Sequence, residues 1–434
     1  MNNRRRLVKR ALRSLGGRVV FPTALAVFLL FPAVSSAVSL SGDSSTYLQS
    51  RETTDATKIL GAYEYLDFDV QNIGNETISF HTGGWLRYNI KGEDDASKTN
   101  NDVQYSYLSF RSKTANSTVN LGRVMVFEGV AAERVDGAYA RTDLRGNFAL
   151  SAFGGSPVET TDTDLPGNSL IYGAHLTQSG DLYRIGVSYL KEEKNSEDFR
   201  KEEGIDLWVH PLSKVEINGW SNYNAQTKEW MGDNYNLILG SFGGLRLTTD
   251  YSAVSYKNYF TGATTAVFML KTGIIDPNET VKILGETASY DVTSSVNLSV
   301  DYKGYTYDIA GDAKYYGGNL RYNVAESGGA GLSYHRMNGD TDKVRYNEYR
   351  VYVFKKLGKT DVALDVIDVK YDAAINGVTS AYAATLAAQY DLTENLKVGA
   401  DIEYSKNPDF DKDVRAFLKA IYRFDVGTGA RKGA

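Results

Sequence analysis

Two segments near the C-terminal end decide the fold: Leu396-Lys397-Val398-Gly399-Ala400-Asp401-Ile402-Glu403-Tyr404 and, after a polar connection around 407–412, Val414-Arg415-Ala416-Phe417-Leu418-Lys419-Ala420-Ile421-Tyr422-Arg423-Phe424. In the first, every other residue from Leu396 to Tyr404 is apolar. In the second, Val414, Ala416, Leu418, Ala420, Tyr422 and Phe424 share a phase, with Asp413, Arg415, Lys419 and Arg423 in the other. Successive strand side chains point to opposite faces, so each segment has an apolar face and a charged one. A tilted strand of roughly 10 residues crosses a bilayer's hydrocarbon core. Lipid outside and water inside satisfy both faces, and closing the sheet leaves no backbone edge unpaired in the membrane. A soluble sandwich would instead cover the apolar face with a second layer, and the number of strands separates the two.

The chain opens with Arg4, Arg5, Arg6, Lys9, Arg10, Arg13 and Arg18, then an apolar run over Val19–Val34 and the small residues Ser35-Ser36-Ala37. This predicts a cleaved secretory signal peptide over 1–37, followed by one domain over 38–434. Without those seven cations the chain keeps 41 basic against 53 acidic residues, a net charge near −12, which argues against a nucleic-acid partner. There is no cysteine, hence no disulfide, no thiolate metal site and no haem-attachment sequence, and no cofactor is expected. Tyrosine is frequent at 31 and proline scarce at 7, a composition suited to strands whose rings sit at a membrane–water boundary.

The alternation recurs along the chain, for example in Leu66–Val70, Leu170–Thr177, Tyr183–Tyr189, Ile205–His210, Leu245–Ala253, Val296–Tyr302, Leu320–Val324 and Tyr382–Ala388. Short connections such as Asp143–Asn147, Gln178–Asp181, Asp291–Ser295 and Asp391–Asn395 interleave with polar ones read as long, among them Lys91–Asp102, Val158–Asn168, Lys191–Gly204 and Asp372–Thr379. Short turns on one side and longer loops on the other are a membrane-barrel habit. The expectation is an all-β, closed antiparallel transmembrane barrel of about 16–22 strands, best 20–22. Parity removes one candidate among Leu245–Ser255, Thr264–Lys271 and Glu286–Val292, with an extra loop or lumen segment near Thr272–Leu284. The phase change between Val366 and Val369 predicts a β-bulge near Ile367.

One stretch departs from the rhythm. Val119-Asn120-Leu121-Gly122-Arg123 and Asp136-Gly137-Ala138-Tyr139 flank Val124–Val135, whose Gly129 and small residues allow it to fold inward. Charges at a narrowing set ion preference, so Arg123, Glu128, Glu133, Arg134 and Asp136 are the candidate pore constriction. An Arg123–Asp136 salt bridge within the wall is the competing role. The Leu-Gly-Arg strand end followed by an Asp-Gly strand start resembles a pattern of Gram-negative outer-membrane porins, and the strand–turn–loop organisation resembles that superfamily throughout. The resemblance implies a bacterial outer-membrane location in contact with lipid and lipopolysaccharide. The residues Asp425–Ala434 beyond Phe424 depart from the terminal aromatic common in those chains.

Candidate lumen charges are Asp67, Asp69, Arg184, Asp250, Arg321, Asp401, Glu403 and Arg415, within a nearly balanced set that predicts weak selectivity leaning to cations. His81, His175, His210 and His335 lie on separate strands and read as neutral lumen or interface residues rather than metal ligands. The acidic stretches Glu93-Asp94-Asp95, Glu159–Asp164 and Glu192–Glu203 read as solvated loops. No spacing suggests an enzyme. The expected function is passive diffusion of ions and small hydrophilic solutes, by a single barrel or a homo-oligomer. The alternative comes from size, because barrels of about 22 strands commonly carry a filled lumen: a haem-free sheath around a multihaem cytochrome, as in porin–cytochrome complexes.

Overall fold

The computed structural model describes residues 38–52, 57–74, 76–91, 98–158, 169–260, 276, 278–324, 327–409 and 412–427. The leader over 1–37, the stretches 93–95 and 159–164, and the segment 264–271 lie outside these. Strands run in order as β1 (Ser39–Glu52), β2 (Lys58–Gln71), β3 (Ile78–Lys91), β4 (Thr99–Ser112), β5 (Ser117–Glu128), β6 (Ala131–Leu144), β7 (Phe148–Pro157) and β8 (Ser169–Gly180). Next come β9 (Tyr183–Lys194), β10 (Glu197–Leu212), β11 (Val215–Asn224), β12 (Glu229–Phe242), β13 (Leu245–Ser255) and a short helix α1 (Tyr256–Phe260). The chain finishes with β14 (Thr280–Asp291), β15 (Val296–Tyr307), β16 (Ala313–Val324), β17 (Gly328–Gly339), β18 (Tyr346–Leu357), β19 (Thr360–Ile375), β20 (Val378–Asp391), β21 (Leu396–Lys406) and β22 (Asp413–Gly427).

Each strand pairs antiparallel with its neighbours in sequence, and β22 pairs with β1 from Ser39↔Gly427 to Ser50↔Ala416. The result is a closed 22-stranded barrel with no free edge. The alternation sorts side chains to its two faces. On β15, Leu298, Val300 and Tyr302 are exposed outward. Ser299 and Asp301 turn inward, where Asn319 of β16 donates to them at 3.3 and 3.1 Å. On the closing strands Ile402, Tyr404, Leu418 and Tyr422 are exposed outward, while inside Lys419 lies 3.3 Å from Asp401 and Arg415 lies 3.9 Å from Glu403. Outward tyrosines are set opposite one another across strands, as in Tyr302↔Tyr316 and Tyr334↔Tyr349, an arrangement fitted to the headgroup level.

All even-to-odd connections lie at one end and are short, down to the two residues of 181–182, 213–214, 243–244 and 358–359. At the opposite end the lengths are mixed. Lys191–Gly204 is no loop: β9 and β10 run on to a two-residue turn, Asn195-Ser196, with both residues at positive φ of 53° and 66°. That is the primed geometry whose twist matches a hairpin's strands. Asp372–Thr379 closes likewise through Asn376-Gly377. The Glu192–Glu203 acids are therefore strand residues, and Glu192 and Glu202 are buried at 0% and 5% exposure. They are held by a cation, which a charge count along the chain cannot show.

Two further expectations are corrected. The β18–β19 register is unbroken from Leu357↔Thr360 to Tyr346↔Tyr371, so no bulge lies at Ile367; an irregularity against β20 falls later, between Lys370 and Ile375. Ile367, Val369 and Tyr371 stay in phase and face inward, because this lumen accepts apolar side chains. Of the supposed extra segment Thr272–Leu284, residues 280–284 belong to the wall, where they begin β14, and 272–275 and 277 lie outside the described residues. In the sheet β13 is paired directly to β14 along its length.

Candidate functional site

The β5–β6 hairpin leaves the wall. Strand β5 pairs with β4 up to Ser106↔Arg123, and β6 pairs with β7 up to Val135↔Pro157, yet β5 and β6 stay paired with each other to Glu128↔Ala131. The bend falls on a row of glycines, Gly122↔Gly137↔Gly155. A Cβ at Gly122 would overlap the Ser106 carbonyl oxygen, one at Gly137 the Gly154 carbonyl, and one at Gly155 the Asp136 carbonyl. Gly122 also has φ +133°, which L side chains rarely adopt. Backbones meet here without side chains between them, and the tip folds inward.

The tip then lies on the inner face of β8, β9 and β10. Val124, Val126, Val130, Ala131 and Val135 form a buried cluster with Phe153 of β7, Ile171 of β8 and Leu190 of β9, none more than 8% exposed. Each buried valine, leucine or isoleucine contributes roughly 1.5–3 kcal/mol, so this patch is a local core within a lumen-bearing protein. Polar contacts fix the position. The Val130 N–H donates to Ser188 Oγ at 3.0 Å, and Gly129 leaves room for that hydroxyl. His175 of β8 sits between two carboxylates, with Nδ1 at 3.0 Å from Glu128 Oε2 and Nε2 at 2.7 Å from Asp206 Oδ2 of β10. Tyr139 donates to the other Glu128 oxygen at 2.5 Å. Arg200 of β10 pairs with Glu133 and lies 3.6 and 3.5 Å from Glu192 and Glu202. Arg200 and its acids are all at least nine-tenths buried, so each charge depends on the others for compensation.

The opposite face of the tip is turned away from that wall. There Arg123 grips Asp136 through two hydrogen bonds, at 2.6 and 2.8 Å, and donates to the Val103 carbonyl at 3.0 Å. Arg134 pairs with Asp102 of β4, which lies 3.8 Å from Arg123. Met125 and Phe127 are exposed on the same face at 46% and 70%. Of the five candidate constriction residues, Arg123 and Asp136 therefore lie on the free face, Arg134 is in their phase but buried against Asp102 at 8% exposure, and Glu128 and Glu133 anchor the tip behind them. Sequence reading missed Asp102, Ser188 and Arg200. Asp102 and Arg200 sit in polar runs that do not single them out, and their partners lie far along the chain.

The remaining candidate lumen residues are distributed around the inner wall. Asp67 accepts from Tyr105 at 3.0 Å, and Asp69 pairs with His81, whose ring stacks on Tyr107 with centroids 5.0 Å apart. Asp250, facing Gly285, and Arg321, opposite Asn297, lie in the inward phase, as does Arg184 beside Gly186 and Ser188. His335 contacts Asp301 at 3.1 Å and His210 stacks on Trp208.

No protein-family model matches the sequence, and no curated protein matches it. Solved structures do. The chain is similar to a mutant of the ferric enterobactin receptor from Pseudomonas aeruginosa, with TM-score 0.55, 8% identity and coverage of 90% of this chain and 81% of that one. It is also similar to OccAB2 of Acinetobacter baumannii, with TM-score 0.47, 11% identity and coverage of 89% and 98%. OccK8 (OprE) of Pseudomonas aeruginosa follows at TM-score 0.42, 10% identity and coverage of 91% and 100%. At these identities the likeness is one of fold alone, a closed antiparallel β-barrel shared with the ferric enterobactin receptor.

Proposed function

We propose that the protein is an outer-membrane channel for passive diffusion of ions and small hydrophilic solutes, with the β5–β6 tip as its constriction. The observation that carries this reading is the tip's two-faced placement: one face anchored on the inner wall, the other presenting Arg123 and Asp136, with Asp102 beside them on the buried Arg134. A wet barrel of this girth needs no chemistry beyond a narrowing to sort solutes. The four charges balance, so selectivity is weak, and the acidic excess of the chain tilts it towards cations. The test is single-channel recording in a planar bilayer with haem-free protein. Steady openings are expected, with a small reversal potential of cation sign in a salt gradient, and a persistently silent barrel overturns the reading.

The second reading, a sheath for a multihaem cytochrome, is favoured by the count of 22 strands, a girth at which barrels commonly hold a filling. A stoichiometric haem spectrum co-purifying with a non-conducting barrel would promote it.

A further inference from the structure

Across the lumen wall from the folded tip, four strands bring their aromatic and sulfur side chains into one row. The pairings Tyr315↔Met337, Met337↔Tyr346 and Tyr346↔Tyr371 set these residues side by side on β16, β17, β18 and β19. All are in the inward phase, because the outward phase on the same strands is taken by Tyr316, Leu320, Leu332, Tyr334, Tyr349 and Val351. The Tyr346 and Tyr371 rings meet edge to face at 6.2 Å. One step along each strand, a second row contains Asp301, Gly317, His335 and Glu348. Tyr315 joins the rows: its ring stacks on His335 with centroids 4.8 Å apart and its hydroxyl donates to Glu348 at 3.3 Å.

The two carboxylates lack a fixed cation. Asp301 is satisfied by Asn319 and His335, and Glu348 by the Tyr315 hydroxyl; among the described residues no lysine or arginine pairs with either. Two cations stand near them: Arg350, bound to Asp365 through two hydrogen bonds, one of 2.9 Å, also acts electrostatically on Glu348, and Lys303 lies directly opposite Tyr315 at the end of the row. Other inner-wall carboxylates do meet a lysine or arginine, as in Asp401–Lys419, Glu403–Arg415 and Asp43–Arg423. On this shelf aromatic faces lie beside two carboxylates that no lysine or arginine meets at ion-pair distance among the described residues.

We infer that the shelf formed by Tyr315, Met337, Tyr346 and Tyr371 over Asp301 and Glu348 is a binding site for organic cations of the alkylammonium class. Aromatic faces attract a cation through the ring quadrupole, most strongly one whose charge is spread over methyl groups and sheds water readily. The carboxylates supply net charge, and Met337 supplies an adaptable apolar contact. A bare metal ion is disfavoured by the ligand set, because no group of three metal-binding side chains converges among the described residues. The inference rests on the channel reading, since the shelf must be reached through an open lumen.

The test is equilibrium dialysis of radiolabelled choline against the full-length barrel in detergent, with its neutral isostere 3,3-dimethylbutan-1-ol as competitor. Saturable choline binding is expected, with the neutral competitor roughly tenfold weaker. Glu348→Gln and Tyr346→Leu should each weaken choline roughly tenfold. Absence of saturable binding, equal competition by the neutral alcohol, or unchanged affinity in both variants overturns the proposal. Conductance is recorded on the same preparation. A conducting barrel that ignores choline keeps the channel and removes the shelf, while a silent barrel that binds choline does the converse.

Discussion

His175 shows how a single side chain in this wall holds two others. It joins Glu128 of the tip to Asp206 of β10 at 3.0 and 2.7 Å in a setting where its side chain is 7% exposed. Replacing it by alanine strips a partner from each carboxylate, and a hydrogen bond to a charged group is worth about 1.5–3 kcal/mol. His175→Ala should therefore release the tip, seen as faster amide exchange over 125–133 with the distant β15–β18 wall unchanged. Glu133→Gln should act in the same direction by leaving Arg200 short of charge among its remaining acids. At the short-turn end, Lys113 hydrogen-bonds the exposed Glu76 and holds its carboxyl below the ordinary range. A depressed acid keeps its contact at neutral pH and loses it only as the pH falls through that lowered value. A carboxyl-carbon NMR titration in micelles should place Glu76 below free glutamate, and in Lys113→Met the midpoint should rise.

At the scale of elements, the tip is separable from the wall, since the strands it leaves remain paired below the bend. Deleting 126–133 and closing the gap with two glycines should raise single-channel conductance while leaving the folded, heat-resistant gel band in place. Unchanged conductance would remove the tip from the permeation path. Legibility in the sequence followed the same division. The strands of the wall were readable because lipid and water impose a two-residue period on each of them, and the inward turn of 124–135 was readable from Gly129 and its small neighbours. The Lys191–Gly204 stretch was misread because charged residues look solvated when counted along the chain, whereas Glu192, Arg200 and Glu202 are buried around one another. Val369 and Tyr371 were misread for the converse reason, apolar side chains taken as lipid markers that call for a bulge although they stay in the inward phase. Contacts such as Glu128–His175–Asp206 span 47 and 31 residues and depend on the bend, which no local pattern encodes.

For the whole molecule, closure is the property on which the rest depends, and it rests on the pairing of the first strand with the last. Ser45 and Ile421 are direct partners across that seam, and opposed side chains in an antiparallel pair stand about 4.5–5.5 Å apart at Cβ, within adjustment of disulfide geometry. Because the native chain has no cysteine, Ser45→Cys with Ile421→Cys should oxidise to one internal bond and give a faster-migrating species on a non-reducing denaturing gel. Failure to cross-link would place the seam elsewhere. The row Gly122, Gly137 and Gly155 has a further implication, for descent. Every amino acid reachable from a glycine codon by one base change carries a Cβ, and at each of the three positions a Cβ meets a carbonyl oxygen. The crease can thus be lost by one mutation but not gradually reshaped, while Met125 and Phe127, exposed beyond it, are free to drift. A lineage carrying this barrel would vary what passes by substituting the tip's free face, and would inherit the direction of the fold unchanged.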